Sequence, residues 1–511
     1  MQQQTNNRTI AKNTLFLYFR MMFTMLVSLY TSRVILDVLG VDDYGIYQTV
    51  GGIVMMLSFV NSALSNGTSR FLTFEQGTGN FDKLKRTFST LLWANVALAL
   101  GVVLLAETLG LWFVYYKLNI PLEQQDAAVL AYHYSIITCF FSLVLTPYNA
   151  SIIAHEKMSV YAYMSILDVL VKLGICYLLN IGSVDKLVLY AFLLCLVQIL
   201  MTLFYVIYCR KHFQETRLQF RVDVPILKEV TGYSSWSLVA ASAGALNTQG
   251  MTVLISLFFS PAVVSARAIA NQVNSAANQF IQNFRTAANP QIVKKYAAKD
   301  YEGSKSLLLV STKYSYYMML LLAVPICLVA EDLLGVWLKE VPPYTTVFLQ
   351  LAVITSLFQV FDTSFYTALY AKGRIKENAM ISPVLGLFVF PIVYVLFRIG
   401  YSPVSLAWAF LALYATLGLV VKPILIIQFV DYHWKDVFSV FIPCIQVTAM
   451  AVPIPLFCYA YADFIFPNGW FRFFGLIFIS VFLIALVVWF VGIDREIRDK
   501  LLYFIREKVR R

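Results

Sequence analysis

Charged residues are scarce in this chain. Asp, Glu, Lys and Arg make up 13% of its 511 residues, against about 25% in an average soluble domain. Hydrophobic residues make up 59% and the mean hydropathy is +0.71. Apolar runs of about 20 residues, long enough to cross the hydrocarbon core, recur throughout. The low charge content therefore excludes an ordinary soluble protein and predicts an all-α, polytopic integral membrane protein.

Residues that bind metals or form disulfides are also few. The seven cysteines form no Cys-x-x-Cys pair, and the four histidines are scattered. This pattern favours neither a disulfide framework nor a metal site. No nucleotide-binding motif or nucleophile arrangement occurs either. The sequence thus predicts no cofactor, no metal site and no catalytic residues.

The apolar runs predict about 14 transmembrane helices. We place them at 13–36, 44–72, 88–110, 127–152, 160–181, 187–209, 230–258, 263–289, 306–330, 346–370, 378–398, 403–427, 438–461 and 470–492. About 26 Lys and Arg residues fall in one set of connections and tails, and about three (Lys117, Lys186 and Lys339) in the other. The positive-inside rule then places both termini in the cytoplasm. It also explains the net charge of +11 without nucleic acid.

Two pairs of segments predict an internal repeat. Residues 154–165 match 371–382 at an offset of 217, and residues 79–85 match 299–305 at an offset of 220. Both matches lie at cytoplasmic turns, which predicts two parallel repeats of six helices. We expect an N-terminal lobe at 1–209, a cytoplasmic linker at 210–229 and a C-terminal lobe at 230–427. Helices 13 and 14 follow at 428–492, and a basic amphipathic cytoplasmic tail at 493–511.

The eighth predicted span carries a polar stripe. At about 100° per residue, its amide and guanidinium side chains project within about 60° of one direction. Asn and Gln cannot reach the headgroups as long cations can, so the stripe predicts the wall of a water-filled, positively charged cavity. The stripe consists of Arg267, Asn271, Asn274, Asn278, Gln282, Arg285 and Asn289.

Other charged residues also fall within spans, where each costs at least about 2.5–3.5 kcal/mol. Near span ends, a long side chain can reach the headgroups, and we assign Arg398, Lys422 and Arg472 to this class. Arg20, Arg70 and Lys313 are expected to join Arg267 and Arg285 in binding substrate, with Asn66 as further polar lining. Asp168 and Lys172 stand one turn apart, as a self-compensating pair or an ion relay. Asp362 lacks an obvious partner and is a second candidate for ion coupling.

An excess of positive groups in a membrane cavity indicates an anionic ligand. The guanidinium fork favours phosphate or carboxylate, and amide side chains suit sugar hydroxyls. A ligand that combines phosphate, sugars and lipid explains the combination.

Three motifs resemble the bacterial polysaccharide transporters, the flippases for lipid-linked O-antigen and capsule repeats. Residues 33–47 (RVILDVLGVDDYGIY) resemble the first-loop signature of that family, and residues 66–70 and 371–374 are similar to its other motifs. The resemblance covers essentially the whole chain and places it in the multidrug/oligosaccharidyl-lipid/polysaccharide exporter superfamily. It implies two six-helix lobes around a central cavity lined by the first, second, seventh and eighth spans. Arg20, Arg70, Arg267 and Arg285 fall on those spans.

The resemblance and the residues together predict a flippase of the bacterial inner membrane. Its expected substrate is an undecaprenyl-diphosphate-linked oligosaccharide, moved to the outer leaflet by alternating access. Expected partners are membrane lipids, a coupling proton or sodium ion and the glycan polymerase machinery. A lipid II flippase or a multidrug exporter of the same superfamily is the alternative. A membrane-embedded glycan polymerase or ligase is a second one, but the longest predicted outer loop, at 111–126, leaves an enzyme little room for catalysis.

Overall fold

The computed structural model describes residues 2–155, 157–179, 185–217, 219, 222–466, 469–493 and 498–499. Within these ranges it describes the backbone alone at 2–19, 60–64, 66–67, 232–240, 287, 375–380 and 463. Every regular element in the described ranges is a helix. The all-α class predicted from the sequence is therefore confirmed. The predicted amphipathic tail lies almost wholly outside the described residues.

The described chain contains 21 α-helices, several of them joined end to end. The first half holds α1 Gln2–Leu39, α2 Val41–Leu57, α3 Phe59–Thr78, α4 Phe81–Leu105, α5 Leu111–Tyr116, α6 Gln125–Ala154, α7 Met158–Leu178 and α8 Lys186–His212. The second half holds α9 Val224–Ala245, α10 Met251–Phe258, α11 Pro261–Ala297, α12 Tyr301–Leu328, α13 Ala330–Trp337, α14 Thr345–Ala371, α15 Ile375–Ile399, α16 Ser405–Thr416, α17 Lys422–Val430, α18 Trp434–Ala451, α19 Pro453–Ala460, α20 Ala462–Ile465 and α21 Gly469–Val487. Four π-helical turns continue these helices, at Ala106–Gly110, Leu246–Gly250, Leu417–Val421 and Val488–Gly492.

Eleven helical segments of the described chain are long and apolar enough to cross a membrane. Each coincides with one predicted span. The other three predicted spans, 44–72, 230–258 and 263–289, correspond to α2–α3, α9–α10 and α11. The span at 44–72 is also interrupted at Ser58, the residue that follows the end of α2. Their polar residues make these three helical stretches less suited to contact lipid than the other eleven.

Contacts group the chain into two compact units. Unit 1 comprises Met1–Ala268 and Pro383–Pro403, and unit 2 comprises Ile269–Ser382 and Val404–Arg511. In unit 1, α6 packs against α2, α3, α4 and α8, around fully buried Ile46, Val50, Tyr132 and Leu143. In unit 2, α14 packs against α12, α16 and α17. Each unit therefore has its own helical core.

The matched segments of the sequence have the same local structure. At the offset of 220, Gly79 and Lys299 both have positive φ, 72° and 63°. The next residues, Asn80 and Asp300, cap α4 and α12 by accepting a bond from a backbone N–H three residues on. At the offset of 217, α6 and α14 end at Ala154 and Ala371, and the next helices begin four residues later. Helix boundaries thus recur at the offsets that the sequence indicates.

A glycine lets the first turn of α2 touch the first turn of α11. A Cβ on Gly45 would overlap the backbone carbonyl oxygen of Pro261. Ser265 Oγ donates a 2.6 Å hydrogen bond to the carbonyl oxygen of Val41 beside this contact. Only a residue without a side chain lets the two backbones approach so closely.

We expect Gly45→Ala to lower the free energy of unfolding by about 1–3 kcal/mol, because the methyl group must push α2 and α11 apart. Gly51→Ala, on the same helix, is the control, since its Cβ would meet nothing within 4 Å. The better helix propensity of alanine should leave that variant as stable or more stable. Thermal unfolding of the detergent-purified chain measures both, and equal stability of the two variants would contradict the contact.

Candidate substrate-binding site

Arg267 is buried in α11, with 8% of the residue exposed. Its Nη1 donates to Thr252 Oγ1 at 2.7 Å and to the carbonyl oxygen of Thr248 at 3.3 Å. Thr248 lies in the π turn between α9 and α10, a type of turn that is frequent at functional sites. No carboxylate of the described side chains pairs with Arg267. Its charge is therefore held by neutral oxygen atoms alone.

Arg285 is buried in the same helix, with 5% exposed. Its Nη2 donates to the carbonyl oxygen of Thr363 and, at 3.3 Å, to Thr367 Oγ1. Both acceptors belong to α14. Among the described side chains, no carboxylate lies within ion-pair distance of Arg285. This guanidinium, too, is held by neutral oxygen atoms.

The remaining stripe residues lie in two environments. Asn278 Nδ2 donates to Ser356 Oγ at 2.8 Å, and that hydroxyl donates to Asn274 Oδ1 at 2.9 Å. These contacts join α11 to α14. Asn271 and Gln282, in contrast, are exposed. The stripe is therefore partly a packing surface against α14 and partly open, whereas the sequence pattern predicted one continuous cavity wall.

The other predicted binding residues lie on other helices. Arg20 packs on α7, with its guanidinium 4.8 Å from the Tyr161 ring centroid and Nη1 3.4 Å from Ser165 Oγ. Arg70 is exposed on α3, and Lys313 is buried in α12. The side chain of Asn66 lies outside what the structure describes.

A cavity of about 720 Å³ lies within unit 1. Such a volume is typical of small-molecule sites. Hydroxyl and amide groups from several helices converge on it, together with one ammonium group. These polar lining residues include Ser135, Thr138, Ser142, Gln198, Gln249 and Lys172. Lys172 Nζ lies 2.8 Å from Asp168 Oδ2, so the predicted Asp168–Lys172 pair is formed at the cavity.

The aspartate of unit 2 has a partner that the sequence analysis did not identify. Lys422 Nζ lies 3.1 Å from Asp362 Oδ1. The assignment of Lys422 to a span end that reaches the headgroups is therefore wrong, because only 2% of this residue is exposed. Gly418 explains the pairing, since its Cβ would lie 2.5 Å from the Phe358 carbonyl oxygen. This close approach, one helical turn before the ion pair in both helices, brings Lys422 to Asp362.

A family model, MatE, matches residues 17–178 and 245–395, which together exceed half of the chain. The chain belongs to the MatE family. A comparison with curated protein sequences gives no significant match. The family match, the helical fold and the eleven apolar spans identify a multi-pass integral membrane protein.

Solved structures show which fold this MatE chain has. It is similar to the lipid II flippase MurJ in an inward closed conformation, with a TM-score of 0.71 at 13% identity over 93% of this chain and 97% of that one. It is also similar to an inward-facing multidrug resistance MATE transporter of the MOP superfamily. The TM-score is 0.64 at 14% identity, over 79% of this chain and 95% of that one. A third similar structure is that of the MATE multidrug transporter DinF-BH. Its TM-score is 0.58 at 17% identity, over 83% of this chain and 95% of that one. This MatE chain therefore has the MOP transporter fold, with about 14 transmembrane helices, and these similar structures are transporters and a flippase.

The sequence analysis missed most of the cavity lining in this MatE protein. Ser135, Thr138 and Ser142 follow each other at spacings of three and four residues on α6, so the periodicity that identified the stripe could also have identified them. Gln249 and Gln198 carry no comparable signal, because they come from helices distant in sequence. Among the predicted residues whose side chains the structure describes, Lys172 lines the cavity.

We expect the two lysine–aspartate pairs to differ in their contribution to stability. Lys422→Met should lower the free energy of unfolding by about 3–5 kcal/mol, because it removes the direct ion-pair partner of Asp362, a side chain that is only 16% exposed. Lys172→Met should cost at most about 1 kcal/mol, since 40% and 27% of the two side chains in that pair are exposed. Thermal unfolding in detergent measures the difference. The Asp362→Asn/Lys422→Met double variant should recover most of the loss, and equal losses in the two single variants would contradict this assignment.

Proposed function

We propose that this protein is a flippase for an undecaprenyl-diphosphate-linked oligosaccharide repeat unit. In this proposal it moves the repeat unit from the cytoplasmic to the outer leaflet of the bacterial inner membrane by alternating access. One observation carries the proposal. Arg267 and Arg285 are buried in α11, which corresponds to the eighth predicted span, and neither forms an ion pair with a described carboxylate.

The physical reason is the cost of charge in a low dielectric. A buried cation bonded to neutral oxygen atoms has its hydrogen bonds satisfied but its charge uncompensated. A diphosphate brings negative charge and several acceptor oxygens, and a guanidinium can bind it through two parallel hydrogen bonds. Burial of the arginines therefore favours an anionic ligand over a neutral or cationic one.

The cavity of unit 1 supports the glycan part of the proposed substrate. Its serine, threonine and glutamine side chains offer donors and acceptors together, which matches sugar hydroxyl groups. Tyr47 lines the same cavity and adds an aromatic surface for a sugar ring. The prenyl chain remains in lipid in this proposal, since burying it in a polar site would forfeit its hydrophobic transfer energy.

Two intramembrane aspartates, Asp168 and Asp362, argue against a cation exporter. Asp168 pairs with Lys172, and Asp362 pairs with Lys422. Each carboxylate is thus neutralised by the protein and is not available to a cationic drug. A lipid II flippase shares the diphosphate chemistry, so direct comparison of lipid II with a lipid-linked repeat unit separates these two.

The finer parts of the proposal follow from the sequence. Both termini are cytoplasmic, lobes 1–209 and 230–427 are joined by a linker at 210–229, and residues 428–492 add two helices. Arg20, Arg70 and Lys313 supply further positive charge, with Asn66, Asn271 and Gln282 as polar lining. A proton or sodium ion drives transport, and the product passes to glycan polymerase machinery.

We expect the rate of transport to depend on the positive charge of the side chains at positions 267 and 285 and less on their shape. Arg267→Gln/Arg285→Gln retains hydrogen bonding but removes both charges, so it should reduce flipping at least about a hundredfold. Arg267→Lys/Arg285→Lys retains the charges and should keep a measurable fraction of the wild-type rate. Flipping of an undecaprenyl-diphosphate-linked oligosaccharide in proteoliposomes measures both, with ΔpH, a sodium gradient and voltage applied separately.

Amounts of folded protein in the proteoliposomes serve as the control for both variants. Wild-type transport of the repeat unit, lost in the glutamine variant and retained in the lysine variant, is the expected result. Full transport by the glutamine variant would overturn the assignment of these arginines. Preference of the wild type for lipid II over the repeat unit would overturn the proposed substrate.

A further inference from the structure

We infer that Lys422 determines the anion affinity of the Arg285 site, by neutralising Asp362 so that the charge of Arg285 stays available to substrate. The inference rests on the proposed function, because it assigns Arg285 to an anionic ligand. Lys422 is a positioning residue in this view: it acts on the substrate through Asp362 and Arg285 and makes no contact with the substrate itself.

Asp362 interacts with two cations in unit 2. Its carboxylate pairs with Lys422 at 3.1 Å and also interacts electrostatically with Arg285. The guanidinium of Arg285 is bonded to the carbonyl of Thr363, the residue next to Asp362. The same carboxylate could therefore neutralise either cation. The structure pairs it with Lys422.

Because these groups are largely buried, the pairing of Asp362 with Lys422 strongly affects the electrostatic potential at Arg285. Lys422 is 2% exposed, and the side chain of Asp362 is 16% exposed. Between buried groups, screening by water and salt is weak, so one unit of charge changes the local potential strongly. With Lys422 present, the three groups carry a net charge of +1. Without it they are neutral, and Arg285 becomes the natural partner of Asp362.

The surroundings of Lys422 hold it in place as a counter-ion. The π turn Leu417–Val421 ends immediately before it, and Pro423 follows it. Its ammonium lies 5.5 Å from the centroid of the Tyr366 ring, within the range of a cation–π contact. These neighbours hold Lys422 beside Asp362. Arg285 is bonded separately, to the oxygens of Thr363 and Thr367.

The test measures binding of undecaprenyl diphosphate to the detergent-purified full chain. Ligand-induced shifts in thermal unfolding give the dissociation constant, and undecaprenol, which has the same chain without phosphate, is the neutral probe. Lys422→Met should weaken binding of the diphosphate lipid at least about tenfold, because Asp362 then neutralises Arg285. Binding of undecaprenol should not change.

The double variant Lys422→Met/Asp362→Asn keeps the proposal testable if the single variant is too unstable. It removes one charge of each sign, so its affinity for the diphosphate lipid should stay within about threefold of the wild type. Asp362→Asn alone should bind the lipid as tightly as the wild type or more tightly. Lys295→Met is the matched control, because it removes a lysine from the exposed Lys295–Asp300 pair on the same helix as Arg285, and it should have no effect.

Two outcomes would overturn the inference and leave the proposed function standing. One is wild-type affinity in Lys422→Met. The other is a double variant as weak as Lys422→Met at comparable thermal stability, which would mean that Lys422 binds the diphosphate directly. A wild type that does not distinguish undecaprenyl diphosphate from undecaprenol would overturn the proposed function and this inference with it.

Discussion

The structure depends on one constraint: a charged side chain inside a membrane helix must find compensation within the protein. Four charged residues of the described helices are compensated in two different ways. Asp168 and Asp362 are each compensated by a lysine, whereas Arg267 and Arg285 are surrounded by hydroxyl and carbonyl oxygens. The first arrangement neutralises the charge locally. The second satisfies hydrogen bonding but leaves positive charge, and the proposed binding of an anionic substrate depends on that remaining charge.

Backbone irregularities supply part of the geometry of both arrangements, at Arg267 and at the Asp362–Lys422 pair. A regular helix uses its carbonyl groups internally, so few remain for side chains. The π turns at Ala106–Gly110 and Leu246–Gly250 each present a carbonyl that accepts a side-chain hydrogen bond, from Tyr132 and from Arg267. The third, at Leu417–Val421, contains the glycine that allows close approach to α14 one turn before the Asp362–Lys422 pair. Local departures from α-helical geometry thus position the polar groups that the apolar helices could not place.

The sequence predicts local features of this fold well and distant ones poorly. The eleven apolar spans and the Asp168–Lys172 pair are properties of one helix each, set by hydropathy or by the spacing i, i+4. Asp362 and Lys422 are 60 residues apart, and nothing in either segment specifies the other, so Lys422 was wrongly assigned to the headgroup region. The polar stripe of α11 is a similar case. Its periodicity predicts one polar face, but only the packing of α14 reveals that Asn274 and Asn278 are bonded to Ser356 while Asn271 and Gln282 are exposed.

A fold shared by a lipid II flippase and multidrug transporters cannot by itself determine what is carried. The ligand class must then be set by the sign and the availability of charge inside the shared scaffold. In this chain Asp168 and Asp362 are each paired with a lysine, whereas the two buried arginines of α11 form no ion pair with a described carboxylate. Exchanging those roles, with free aspartates and paired arginines, would reverse the sign of the charge available to a ligand. The sign of the ligand that this scaffold favours therefore depends on which buried charges the protein has already neutralised.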